Sequence, residues 1–290
     1  MLKKLALATA LLAGLGTAHA YQAELNVGYE NTDIDNVGDL DTFFINGKYY
    51  LNTVQVKNSP LAEAAFLNKA SNIGLGYANA SGDGDEDIDV FGVSGEFYIP
   101  NTQFYVSGTI NQVDFAGEDN TGYAFEVGYL PVNGLLLAAG AANESVDPVQ
   151  VANYGFVPNL LNAVTVGDDT ALSLRAKYVT QIGNHFANFE GLTYFGDETT
   201  YRLGADLYID PTLSVGVSIA DSTEDDSDTV FGLRAQKFFT PAIAAGVNYT
   251  TTDGADSFGI NGPFRFEALR LKAKKTAHSS GFLWPIVLNG

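Results

Sequence analysis

The chain contains no cysteine, which excludes both a disulfide scaffold and a thiolate metal site. Positive charge is scarce: 15 Lys and Arg stand against 34 Asp and Glu in 290 residues, a formal net charge of −19. A nucleic-acid partner, which needs a basic face, is therefore not expected. Histidine occurs at His19, His185 and His278 alone. Neither G-x-S-x-G nor H-E-x-x-H is present, so chemistry through a histidine base is not expected, and no cofactor or metal motif is present. Beyond residue 20 no run approaches the roughly 18 consecutive apolar residues that a membrane-spanning helix requires. Yet 46% of the residues are hydrophobic and 12% aromatic, and that surface needs an apolar medium.

The first twenty residues form a separate object. Lys3 and Lys4 make a positive start, Leu5 to Leu15 a short apolar stretch, and Ala18-His19-Ala20 an A-x-A cleavage site. This is the pattern of a secretory signal peptide over 1–20, with Tyr21 expected to open the mature chain.

From Tyr21 onward the sequence alternates with period two. Tyr21, Ala23, Leu25, Val27 and Tyr29 share one phase, with Gln22, Glu24, Asn26, Gly28 and Glu30 on the other. Strict alternation is a strand with one face in an apolar medium and the other in a polar one. The pattern recurs, for instance at Phe43-Ile45-Gly47-Tyr49-Leu51, Leu172-Leu174-Ala176-Tyr178 and Phe258-Ile260-Gly262-Phe264-Phe266. Fourteen such segments can be read over 21–266. Each is about ten residues long, the length of a tilted membrane-spanning strand, and their number is even.

The connections alternate as well. One set is short and often carries proline, as at 100–102, 131–134, 210–212 and 240–242; proline cannot donate to a ladder. The other set is longer and acidic, at 32–41, 80–89, 114–121, 144–169, 196–199, 221–228 and 251–256. Short periplasmic turns and long extracellular loops are the outer-membrane pattern. The exception is 52–70, long and with a helix-like LAEAAFLN. It reads either as a surface turn or as a periplasmic flap touching the mouth of the barrel.

A secreted β-sandwich also alternates, but its polar face carries many charges. Here that face is rich in Gly, Ser, Ala and Asn, while Tyr and Phe gather at strand ends like two interfacial girdles. The fold expected is all-β: an antiparallel transmembrane β-barrel of about fourteen strands, closed because an open edge cannot stand in lipid. Such a barrel is wider than an eight-stranded one and narrower than an open porin.

Lys48, Glu96, Glu126, Arg175, Glu190, Arg202, Asp206 and Arg234 fall on the inward phase and are the candidate pore-lining residues, with Lys177, Glu24 and Arg265 beside them. Acids concentrate on strands one, four, six and nine, arginines on eight, ten, twelve and fourteen. Either they set a transverse field across water or they pair with one another. The uncharged stretch 149–166 inside the longest loop would fold into the mouth, or else remain a surface loop or a subunit contact. DGDEDID at 83–89 starts like a calcium loop, but Ile88 and Ser94 occupy the positions of the required Gly and Glu.

Four stretches carry a family resemblance: PLAEAAFLNKAS (60–71), RAKYV (175–179), GADLYIDPTLSVGVSIADS (204–222) and FFTPAIAAGVNY (238–249). They resemble segments of the Acinetobacter 33-to-36-kilodalton outer-membrane porins. The resemblance covers most of 1–266 and implies a monomeric barrel in the outer membrane of a Gram-negative bacterium, passing water and small solutes, with loops such as 144–169 constricting it. It supplies no catalytic residues. Outer-membrane lipid, lipopolysaccharide and the barrel-assembly machinery are the expected partners. The contrasting expectation is a structural or adhesive barrel with a blocked lumen and partner-binding acidic loops.

Phe258, Ile260, Phe264 and Phe266 would form the apolar face of the closing strand, and a terminal Phe resembles the signal read by the assembly machinery. Residues 267–290 leave the pattern: Arg270, Lys272, Lys274 and Lys275 stand against Glu267, beside the single Trp284. This basic tail reads as a read-through, a frameshift or an added segment, or else as a periplasmic extension. Pro263 would remove a ladder donor where the barrel closes.

Overall fold

A computed structural model describes residues 20–82, 87–115, 117–143, 170–224 and 227–267. The strands are β1 (Ala20–Ile34), β2 (Gly38–Gln55), β3 (Asn72–Gly82), β4 (Ile88–Tyr98), β5 (Phe104–Phe115), β6 (Glu118–Tyr129) and β7 (Leu135–Asn143). They continue as β8 (Ala171–Ile182), β9 (His185–Phe195), β10 (Thr199–Asp210), β11 (Leu213–Ser222), β12 (Val230–Thr240), β13 (Ile243–Thr252) and β14 (Ala255–Phe266). Each pairs antiparallel with its sequence neighbours, and β14 pairs with β1, so the sheet is a closed barrel. The seam runs without a register shift from Ala23 opposite Phe266 to Ile34 opposite Ala255. Closure leaves no edge strand with unpaired amides, the condition for standing in lipid.

The period-two pattern gives the barrel its two faces. Outward-phase residues such as Leu75, Val127, Leu174, Leu203, Val217 and Ile260 are exposed, as a lipid belt must be. Aromatics flank it at both ends. Tyr49, Phe97, Phe104, Tyr129 and Tyr178 lie towards the short turns; Tyr29, Phe43, Tyr77, Tyr123, Tyr201, Tyr249 and Phe258 lie towards the other end.

Tyr21 departs from this pattern. Expected on the outward face, it is 1% exposed and stands edge-on to Tyr50 inside the barrel, ring centroids 5.4 Å apart. The cause is a register shift in the β1–β2 ladder between Tyr21 and Ala23. One slipped residue exchanges the faces of a strand.

The loops differ too. Of the connections read as long, β1–β2 reduces to residues 35–37 and β13–β14 to Asp253–Gly254, with Gly254 at φ 82°. The ladders continue past the apolar belt because hydrogen bonding needs no apolar face. Outward side chains tie these hairpins: Tyr29 Oη donates to Asp41 at 2.5 Å and Tyr249 Oη to Asp256 at 2.7 Å. The 144–169 loop, the signal residues up to 19 (with Ala18), residues 83–86 of the acidic motif and the tail from 268 lie outside the described residues.

Pro263 is accommodated. Arg265 N–H donates to the carbonyl of Ala242, the residue just before β13, so the amide position of Pro263, two residues earlier on an extended strand, faces β13 also. The β13–β14 register is interrupted there, between the Ile243–Phe264 and Gly246–Asn261 pairs, while the β1–β14 seam is continuous through Asn26–Pro263.

Candidate functional site: the barrel interior

Inward charges meet in pairs, and glycine makes the meeting possible. Glu126 on β6 is opposite Gly140 on β7. Its carboxylate passes over that glycine to Arg175 on β8, receiving Nε at 3.1 Å and Nη2 at 2.8 Å as a fork. A Cβ on Gly140 would lie 3.0 Å from Glu126 Cγ and 2.1 Å from the Phe125 carbonyl oxygen. The arrangement repeats on β10–β12. Asp206, Gly216 and Arg234 are in register, and Arg234 Nε and Nη2 donate to Asp206 at 2.7 and 2.9 Å across the glycine. It recurs with a neutral partner on β13, β14 and β1, where Asn248 Nδ2 reaches over Gly259 to Glu30 at 2.8 Å. A charge, an inward glycine and a counter-charge on successive strands form a fork that is short and geometrically specific.

Arg175 joins these pairs into a network. Its Nη2 donates to Tyr105 Oη at 3.1 Å, and that hydroxyl donates to Glu96 at 2.8 Å. Glu96 also receives Asn72 Nδ2 at 2.9 Å and stands 3.8 Å from Lys48 Nζ. On the other side, Arg175 Nη1 is 3.6 Å from Glu190, which is 3.5 Å from Lys177. Arg265 donates to Glu24 at 2.6 Å across the closing seam, its guanidinium 4.4 Å above the Tyr21 ring. Arg202 is 6% exposed on the same phase of β10 as Asp206. Of the two expectations for the charges, mutual pairing is what the structure displays.

The connection from β2 to β3 turns into the barrel rather than lying on its surface. Leu61–Glu63 form a single 3₁₀ turn, followed by α1 (Ala64–Leu67). Leu61 N–H donates to Pro211 O at 2.8 Å, and Leu61 packs on Phe238 and Ala244. Glu63, 6% exposed, receives Tyr208 Oη at 2.6 Å and is 3.1 Å from Lys177 Nζ. Ala64 packs with Tyr21 and Tyr50, and Phe66 packs against Tyr105, Leu130 and Leu136. The segment therefore touches eight of the fourteen strands: β1, β2, β5, β7, β8, β10, β12 and β13.

A cavity of about 180 Å³ remains beside it, bounded by this segment, the charged network and a carboxamide face on β1, β2, β13 and β14. That is room for on the order of ten waters.

The family model described as "Putative general bacterial porin" matches residues 2–269. The chain belongs to this porin family. Among solved structures, it is 31% identical to the outer membrane protein Omp33 of Acinetobacter baumannii, over 86% of this chain and 99% of that one, with a TM-score of 0.67. A "CymD monoaromatic hydrocarbon channel" matches at 9% identity over 85% of this chain and 89% of that one, with a TM-score of 0.53, which bears on the fold alone. A search among curated proteins finds no match. The porin is thus an outer-membrane channel protein of a Gram-negative bacterium.

Each candidate residue from the sequence can now be located in the porin. Lys48, Glu96, Glu126, Arg175, Glu190, Asp206 and Arg234 all sit on the inner face in the contacts above. Phe258 and Ile260 point outward on β14, with Phe264 and Phe266 in the same phase. Ala20 opens β1 opposite Gln55. Sequence reasoning missed Glu63, Tyr21 and Tyr50 as interior residues. A usable signal existed for two of them: Tyr50 is a bulky aromatic on the polar phase of β2, and Glu63 is an acidic residue inside the LAEAAFLN stretch, whereas Tyr21 sits on the apolar phase.

Proposed function

We propose that this porin passes water and small solutes by passive diffusion through a narrow, charge-lined lumen that the inward-folded 56–71 segment constricts from the periplasmic end. The observation that carries the reading is the inverted polarity of the barrel: an apolar belt outside, and inside it charged residues and a polar cavity of about 180 Å³. Paired charges keep a hydrated interior without offering an ion a lone counter-charge, and solutes are then sorted by size and dipole. Loop 144–169, long and uncharged over 149–166, is proposed to narrow the opposite mouth.

The same segment also supports a second reading, a barrel with a blocked lumen that acts as a surface structure, because α1 and its 3₁₀ turn touch so much of the wall. Liposome swelling separates the two. Proteoliposomes should swell in small polyols and progressively less in larger sugars. Swelling no faster than that of protein-free liposomes for every solute would sink the channel reading.

A further inference from the structure

Along one side of the cavity the inward charges alternate in sign, and the alternation has one opening. Glu24 on β1 is the direct register partner of Arg265 on β14 and of Lys48 on β2. Arg265 Nε donates to Glu24 Oε2 at 2.6 Å, and Glu24 Oε1 accepts nothing from the described residues. Lys48 approaches Glu96 on β4 instead and stops 3.8 Å from its Oε2, beyond hydrogen-bond length. Among the described residues no Glu24–Lys48 ion pair forms, although their strands are adjacent. Arg175, Lys177, Arg234 and Arg265 each come within 3.1 Å of a carboxylate oxygen. The Lys48 ammonium, with three N–H donors, has no such bond among the described residues. Glu24 and Glu96 are also the most open of the paired interior acids. Their side chains are 20% and 21% exposed, against 11% or less for Glu63, Glu126, Glu190 and Asp206. Lys48, Glu24, Glu96 and Arg265 all line the cavity.

The opening thus has an acceptor on one side and a donor on the other, and the four charges sum to zero. A lone cation drawn to Glu24 meets Lys48 and Arg265 beside it. A lone anion drawn to Lys48 meets Glu24 and Glu96. Attraction and repulsion then offset. A solute that carries both charges escapes this conflict. Its ammonium donates to Glu24 Oε1 and its carboxylate accepts from Lys48 Nζ. The signs then alternate without a break through Arg265, Glu24, the solute, Lys48 and Glu96. An α-amino acid carries its two charged groups on one carbon. It can lie across the ends of two side chains that rise from adjacent strands, about 5 Å apart at Cβ.

We propose that Glu24 and Lys48 form a selectivity site for small zwitterions of the α-amino-acid class. This rests on the channel reading. It is tested by swelling of proteoliposomes in alanine and in lactamide, isomers of nearly equal size of which only alanine carries separated charges, with the rates of protein-free liposomes subtracted. In a pore that sorts by size alone the more strongly hydrated zwitterion enters no faster than its isomer, because it has more water to lose. Here the wall charges replace that water, so alanine should enter the wild type several-fold faster than lactamide. Alanine placed on both sides of the membrane should also slow lactamide entry. In a Lys48→Met barrel the alanine-to-lactamide ratio should fall about fivefold, the order of one hydrogen bond. Lys48→Arg, which keeps the cation, should hold the ratio within about twofold. Alanine no faster than lactamide in the wild type, a ratio unchanged by Lys48→Met, or an equal loss in Lys48→Arg would each overturn the site while leaving the channel intact. Entry of neither solute in the wild type would remove the channel reading and this inference with it. If the variants do not fold, as judged by loss of heat-modifiable migration in gels, the wild-type competition decides: lactamide entry indifferent to alanine overturns the proposal.

Discussion

At the scale of single residues, Arg175 has the most consequential surroundings. Its side chain is 6% exposed and is shared by Glu126, Glu190 and Tyr105. Arg175→Ala leaves Glu126 without its cation and Glu190 with Lys177 alone, and removing one buried partner of a charge pair costs about 3–5 kcal/mol. Replacing both members, as Glu126→Gln with Arg175→Met, should recover a large part of that loss, since the uncompensated charge is gone. Unfolding by guanidinium in detergent, followed by far-UV circular dichroism, measures both. A single variant as stable as the wild type would show that the network is not energetically coupled. In bilayers the same Arg175→Ala barrel should shift its reversal potential towards cation preference, and an unchanged potential would remove Arg175 from the filter.

At the scale of the element, the strand is where the sequence spoke most clearly. Fourteen strands were readable because lipid and water lie on opposite sides of one sheet, so apolar and polar residues must alternate. Leu174 on β8, 52% exposed within the apolar belt, tests that assignment. Leu174→Arg should destabilise the barrel by about 2–4 kcal/mol in lipid, the cost of a cation at the bilayer midplane. Its neighbour Ser173, on the inner face, should tolerate a polar replacement far better; equal penalties at both positions would contradict the two-faced strand. What stayed illegible at this scale has definite physical causes. The slip at Tyr21–Ala23 leaves no mark on composition, yet it turns Tyr21 inward. Hairpins such as β1–β2 continue beyond the belt on ladder hydrogen bonds that need no apolar face, a stretch that composition records as acidic loop. The LAEAAFLN stretch has helical spacing whether it lies on a surface or in a lumen. Its destination was fixed by Glu63 meeting Lys177 and Tyr208, residues more than a hundred positions away in the chain.

For the molecule as a whole, charge pairing, glycine placement and the inward segment describe one object. It is a barrel whose interior is held by ion pairs across inward glycines, and whose remaining space is set by residues 56–71. Which inward charges would meet could be anticipated only in part, since Asp206–Gly216–Arg234 becomes a recognisable triplet once the register of three strands is known. On the proposed function, this barrel conducts through a passage that the β2–β3 connection narrows. The most direct test is single-channel recording in planar bilayers, comparing the wild type with a barrel in which residues 57–69 are replaced by a short turn. A small, ohmic conductance in the wild type, rising several-fold in the variant, is the expected result. The same conductance in both, or none in either, would contradict it.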